Sequence, residues 1–449
     1  MTQIAPEPHQ QQLRNTPVFL HRRRGLVVVL LCVMYFISYF DRTNIATTGP
    51  EMMKPISQGG LGINAFEFSL ATSVFAVGYA VFQIIGGRVG ERLGPRRGLL
   101  ILGLLWGAAT IMSGFAGGLI ALLIARGVLG LSESATFPTA TQAMSRWVPK
   151  DRNGLVQGIV HSASRLGTAA APIVVAAIIA AQGWRESFIY VGIISVAWAV
   201  VWFILFRDSP KDVKSISKQE LAEVALLPKA ADQPPVPWAR LARSILPVTL
   251  VDFGYGWVAW VFFTWIPTLL ATVYDQDVKN YGLLTSLILI GGVIGDTLGG
   301  VLSDRLLLRT GNARLARRTF LLIGFIGAAV LMIPILFTPP LVVTVITLAL
   351  AFFFLELTNA QLWSIPMDVA PTWSGAASGM MNSGFAISGV VSALAGGALI
   401  TWAGSGRAGF GWLFGISIVV LIGATVLAAL MKPKQVDPIA RPEEIVPAV

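Results

Sequence analysis

Charge is scarce in this chain. Of its 449 residues only 12% are Asp, Glu, Lys or Arg and 55% are hydrophobic, whereas a water-soluble domain carries about 25% charged residues. With a mean hydropathy of +0.71, a water-soluble globular protein is excluded. Cysteine occurs once, as Cys32, so no intramolecular disulfide is possible. Histidine occurs only at His9, His21 and His161, and there is no His-Glu-x-x-His, no cysteine pair and no nucleotide-binding glycine loop. Metal and thiol chemistry therefore lack ligands; no enzyme activity, cofactor or metal is expected. The net charge of +10 invites a nucleic-acid reading, which the placement of the charges argues against.

What the chain has in abundance is long apolar runs. About 20 such residues cross a bilayer, and hydropathy marks twelve spans, at 25–45, 66–86, 99–116, 119–142, 155–180, 188–206, 244–272, 282–300, 319–337, 341–362, 373–400 and 410–431. The expected fold is an all-α membrane protein. The first run follows His21-Arg22-Arg23-Arg24 and lacks an Ala-x-Ala-like cleavage site, so it reads as a retained span. Outer loops hold Lys54, Arg185, Lys279 and Arg407; Arg42, Arg126 and Arg165 lie inside spans. Every other Lys and Arg of the 33 falls on the opposite side. Basic loops stay in the cytoplasm, so both termini are expected there. The organisation is a cytoplasmic segment (1–24), a six-helix half (25–206), a linker (207–243), a second half (244–431) and a disordered tail (432–449). In the linker, Ser215 to Leu227 reads as a short polar helix before Pro234-Pro235-Val236-Pro237.

The stretch Met34 to Ile45 sets Asp41 beside Arg42 near the far end of the first run. Either charge at the centre of a membrane helix costs roughly 2.5–3.5 kcal/mol, so such residues face a watery path, a partner or a substrate. Sequence neighbours point about 100° apart on a helix: Arg42 is read toward a central cavity with Tyr39 on its face, and Asp41 toward an adjacent helix. A plain ion pair near the outer surface is the alternative. Further along, Gly87-x-x-x-Glu91-Arg92 follows the second run and Gly300-x-x-x-Asp304-Arg305 follows the eighth. The same loop twice, six spans apart, signals duplication and a paired cytoplasmic gate.

These loops, the 6+6 organisation and the linker resemble the major facilitator superfamily over about residues 20–435. Tyr39-x-Asp41-Arg42-x-Asn44-Ile45, Gly130-x-x-Glu133-x-x-x-Phe137-Pro138 and Ser164-Arg165-Leu166-Gly167 resemble its anion:cation symporter branch. That branch includes proton symporters for galactonate, hexuronates, tartrate and phthalate, and is similar to sialin and the vesicular glutamate carriers. The resemblance implies a monomeric secondary transporter of the bacterial inner membrane importing an organic anion with protons, with lipid and no nucleic acid as its surroundings. A proton-driven efflux pump of the same fold and a non-transporting receptor are the alternatives; three intramembrane arginines argue against the pump.

Site expectations follow residue by residue. Arg126 and Glu133 are two turns apart on one face, with Glu133 near mid-membrane, where a desolvated carboxyl is a candidate proton carrier. The resemblance implies Asp41 and Glu133 as the proton-carrying pair; an Arg126–Glu133 or Arg126–Asp41 bridge that merely locks helices is the other reading. Arg126 either tunes those acids or touches substrate. Arg165 is expected in Arg42's cavity as a second carboxylate clamp, at a position where some branch members carry an amide, which points to a different substrate, with two acidic groups. His161, on the same face, reads as packing, with a proton relay as the alternative. Tyr79 matches a branch position that presents a tyrosine to substrate, with Gln83 on its helix; Gln142 and Arg146 are assigned to the inner gate. In the second half Asp252, Tyr255, Trp257, Trp260, Thr264 and Trp265 sit on a bendable helix with Gly254, Gly256 and Pro267, where Trp265 either closes over substrate or anchors at the interface. Asn359, Trp363, Asn382 and Ser383 are expected to bind the rest of the substrate. Glu356 is left between proton carrier and helix pairing.

Overall fold

The computed structural model describes residues 22–148, 153–213, 236–337, 339–370, 373–403 and 406–436. Within it, twelve helices are long and apolar enough to cross a membrane, and no strand occurs among the described residues. In order they are Arg23–Met52, Ala65–Phe82, Leu93–Gly114, Leu119–Met144, Ile159–Ala181, Trp184–Leu205, Trp238–Thr272, Val278–Thr310, Ala313–Phe337, Leu341–Val369, Ala376–Trp402 and Arg407–Leu430, called here the first to twelfth spans. Six precede the linker and six follow it, the two halves expected from the sequence. Residues 214–235 of the linker, the N-terminal segment to residue 21 and the tail from 437 lie outside the described residues, as does the expected helix at Ser215 to Leu227.

The side from which the first span starts is called the basic end, the other the far end. Two connections at the basic end differ from the expected loops. Within Ala65–Gly114 the second and third spans belong to two helices that meet directly, without a loop, at a non-helical kink at Gly94 (φ 72°) before Pro95. Asp208, at the end of the sixth span, seats this kink by accepting from the Arg96 amide at 3.0 Å, while its Oδ1 lies 3.3 Å from Arg146 Nη1. The second copy of the repeated motif likewise lies inside a helix, Val278–Thr310, which ends only at Gly311 in the left-handed conformation. At the far end, side chains cap the helices: Asn64 and Glu67 exchange reciprocal bonds of 2.9 and 2.8 Å, and Asp277 accepts from the Asn280 amide at 2.9 Å.

Two spans are broken. The fourth consists of Leu119–Ser134 and Thr136–Trp147; Pro138 has no amide to offer the Ser134 carbonyl, which relaxes the helix there. The tenth consists of Leu341–Glu356 and Asn359–Val369.

The halves are sealed together toward the far end. Tyr281 Oη donates to the Thr47 carbonyl (3.1 Å), the Phe66 amide to Thr401 Oγ1 (3.0 Å) and the Ile173 amide to Ser286 Oγ (3.1 Å). Trp265, 1% exposed, packs edge-on against Phe68 in this seam, so it is an interior residue and not an interface anchor. A cavity lies between the halves.

Candidate functional site

The cavity has a volume of about 290 Å³ and draws its wall from both halves. From the first half come Tyr35, Tyr39, Arg42, Phe75, Ala76, Tyr79, Phe137, Pro138, Thr141 and His161; from the second come Trp260, Trp363, Ser378, Gly379, Asn382, Phe385 and Ala386. Thr141, Ser378 and Gly379 stand at the basic ends of their spans, so the cavity reaches that side. Its wall is largely aromatic, with Arg42 as its one Lys, Arg, Asp or Glu side chain.

Arg42 is held from every side. Its guanidinium carbon stands 4.9 Å from the Tyr39 ring centre, 4.6 Å from Tyr79, 5.1 Å from Phe137 and 5.5 Å from Phe75, a cage of negative ring faces around a cation. Its Nε donates to Glu133 Oε2 at 2.6 Å, a short, charge-assisted bond. The Glu133 carboxyl is fully buried. The closeness of the second and fourth spans depends on Gly130, where a Cβ would strike the Phe75 carbonyl oxygen.

Asp41 points away from Arg42, as the helical angle requires, and into the third span. Its Oδ2 accepts from Trp106 Nε1 (2.8 Å) and Thr110 Oγ1 (2.5 Å) in full burial. Arg126 lies over the Phe75 ring (4.7 Å), 2% exposed, and attracts both Asp41 and Glu133. Its Nε and Nη1 have no hydrogen-bond partner among the described residues. Neither bridge weighed from the sequence, Arg126–Glu133 or Arg126–Asp41, is formed; Arg42 takes Glu133 instead. Depth and rotation of the first span against the fourth decide that choice, and neither is readable from spacing within one helix.

The structure thus brings Tyr39, Arg42, Tyr79, Trp363 and Asn382 to one cavity, with Glu133 bonded to Arg42 and Asp41 and Arg126 one layer behind. Arg165, Asn359 and Ser383 are not on its wall. Arg165 crosses the seam: Nε donates to Asp296 Oδ2 (3.2 Å) and Nη2 stands 3.3 Å from Glu356 Oε2. Asn359 donates to Asp296 Oδ1 (3.0 Å). Ser383 is exposed and donates to the Met380 carbonyl (2.6 Å). Of the gate residues, Gly300 lies near Ala360 and Asp304 pairs with Arg317 at 2.9 Å, which also reaches Asp368 at 3.3 Å; Arg305 is exposed. Gly87, Glu91 and Arg92 lie on the helical connection, and their side chains are outside the described residues.

Sequence reasoning missed Asp296, although an acid inside the 282–300 run was the same signal that singled out Glu133. It also missed Trp106 and Thr110, whose bonds to Asp41 depend on helix packing and leave no local trace.

The comparisons with known proteins agree with this architecture. The profile described as Major Facilitator Superfamily matches residues 31–393. A probable sulfoacetate transporter of Cupriavidus necator is 44% identical over 86% of this chain and 89% of its own length. A D-galactonate transporter of Escherichia coli is 29% identical over 90% of this chain and 94% of its own. Among solved structures, an inward-facing, unoccupied bacterial homologue of the human lysosomal transporter Spinster superposes with a TM-score of 0.74 at 15% identity, covering 91% of this chain and 97% of that one. An aromatic cavity between two six-helix halves, built around one arginine, and relatives that carry organic anions lead to one conclusion: the chain belongs to the Major Facilitator Superfamily, in its branch of organic-anion transporters.

Proposed function

We propose that this protein imports a small organic anion together with protons by alternating access. The observation that carries this reading is the 2.6 Å bond from Arg42 to Glu133. Glu133 and an acidic substrate compete for the same guanidinium, whose planar fork suits a carboxylate or sulfonate. A proton on Glu133 ends the competition and frees Arg42 for the substrate, so proton and anion enter together. Asp41, held by Trp106 and Thr110 and attracted by Arg126, is the second proton carrier. Tyr39 and Tyr79 frame the anion, Trp363 and Asn382 contact its remainder, and Arg126 tunes the acids. Asn359 and Arg165 reach the substrate only if their bonds to Asp296 and Glu356 open.

At least one proton per negative charge spares the cycle from an inside-negative potential, worth roughly 2.3 kcal/mol per charge per 100 mV. The relative named for sulfoacetate, at 44% identity, favours a small sulfonate-carboxylate as substrate over a sugar acid. The protein works as a monomer in the bacterial inner membrane with its basic end and both termini in the cytoplasm; residues 25–206 and 244–431 rock about the site, and the Gly87–Arg92 and Gly300–Arg305 motifs close the cytoplasmic side. Proteoliposomes with an imposed proton gradient test this. Wild-type protein should accumulate sulfoacetate, and Glu133→Gln should lose accumulation while keeping counterflow. Intact accumulation by Glu133→Gln refutes the coupling role, and normal affinity in Arg42→Ala refutes the clamp.

A further inference from the structure

The fourth and tenth spans occupy the same place in the two halves, and each breaks beside a buried glutamate: at Ala135, two residues past Glu133, and immediately after Glu356. The first and seventh spans are counterparts as well, and each supplies that glutamate's hydrogen-bond donor. In the first half the donor is Arg42; in the second it is Tyr255, whose Oη donates to Glu356 Oε1 at 3.0 Å. The second half therefore repeats the acid without its cation. The cation comes across the seam as Arg165, 3.3 Å from Glu356 Oε2 and bonded to Asp296 as well.

One guanidinium here serves two carboxylates at hydrocarbon depth, where uncompensated charge is strongly disfavoured. A bound proton restores the balance. Asp296 is the solvated member: its side chain is 24% exposed and accepts from both Arg165 and Asn359. Glu356 is the dry member, with a 1% exposed side chain, and its Oε2 lacks a hydrogen bond despite the nearby guanidinium. The groups acting on Glu356 are Arg165, Asp296 and Tyr255; Tyr39 also acts on Arg165, and His161 faces Arg165 and Asp296.

We propose that Glu356 is a further proton-binding site, beyond Glu133 and Asp41, which gates the movement of the halves through Arg165. Protonated, Glu356 leaves Arg165 held by Asp296 alone. Ionised, it grips Arg165 from a second direction, ties the fifth span to the eighth and tenth, and slows the parting of the halves. This rests on the alternating-access reading but not on the roles of Glu133 and Arg42.

The test is counterflow of labelled sulfoacetate in proteoliposomes in a Glu133→Gln background, where exchange requires no net proton movement. Exchange should slow by roughly tenfold between about pH 5.5 and pH 8, equivalent to about 1.4 kcal/mol on the barrier. Adding Glu356→Gln should remove most of that dependence and leave exchange fast throughout. Adding Asp296→Asn should remove it in the opposite sense, leaving exchange slow, because Arg165 and Glu356 then balance. Tyr255→Phe keeps every charge and should move the midpoint of the profile. A profile untouched by Glu356→Gln, shifts of the same sign for Glu356→Gln and Asp296→Asn, or an unmoved midpoint in Tyr255→Phe overturns the proposal. Proton-driven accumulation that survives Glu133→Gln would refute the coupling reading above and leave opposite shifts at Glu356 and Asp296 standing.

Discussion

If Glu133 competes with substrate for Arg42, removing its charge should tighten binding where the charge is normally present. In the wild type an incoming acid must displace a bond of 2.6 Å with a fully buried carboxylate. A hydrogen bond to a charged group contributes about 1.5–3 kcal/mol, and a neutral one about 0.5–1.5. Glutamine keeps a carbonyl that Arg42 can still meet, so Glu133→Gln should lower the displacement cost by about 1–2 kcal/mol, a factor of about 5–30 in affinity. The sign follows from protonation: the wild type binds more weakly as pH rises and Glu133 ionises, whereas the variant has no charge to gain there. Affinity of purified protein for sulfoacetate, measured by calorimetry from about pH 6 to pH 8.5, should therefore fall with pH in the wild type and stay nearly level in Glu133→Gln. The two curves should converge at the acidic end. A variant that binds more weakly at every pH, or keeps the wild-type slope, would refute the competition.

Other outcomes follow from the surrounding geometry. Thr110→Val removes one of the two donors to the buried Asp41 and should cost about 1–3 kcal/mol of stability, read as a lower melting temperature in detergent; Asp41→Asn in the same chain should recover part of it. Gly94→Ala places a side chain at φ 72° and 3.1 Å from Asp208 Oδ1, so it should cost about 1–3 kcal/mol and lower the melting temperature. Ala at exposed Gly423, where an added methyl group meets no atom within 4 Å, should leave that temperature unchanged. Gly130→Val drives a branched side chain into the Phe75 carbonyl and should reduce folded yield in fluorescence-detected size exclusion.

The amino-acid sequence by itself determined the solvent, the number of spans, the duplication and the identity of the scarce charges. These are one-dimensional properties: an apolar run of sufficient length has few alternatives in a bilayer, and an Arg or Asp inside one stands out against it. The helical angle between adjacent residues was also enough to send Asp41 and Arg42 to different neighbours. Only the tertiary structure decided which charge meets which. Arg42 rather than Arg126 pairs with Glu133, and Arg165 leaves the cavity for Asp296 and Glu356, because pairing depends on the relative depth and rotation of helices far apart in the chain. Periodicity within a helix carries no information about either, and a short-range interaction in a low-dielectric interior is made or lost over a few ångströms.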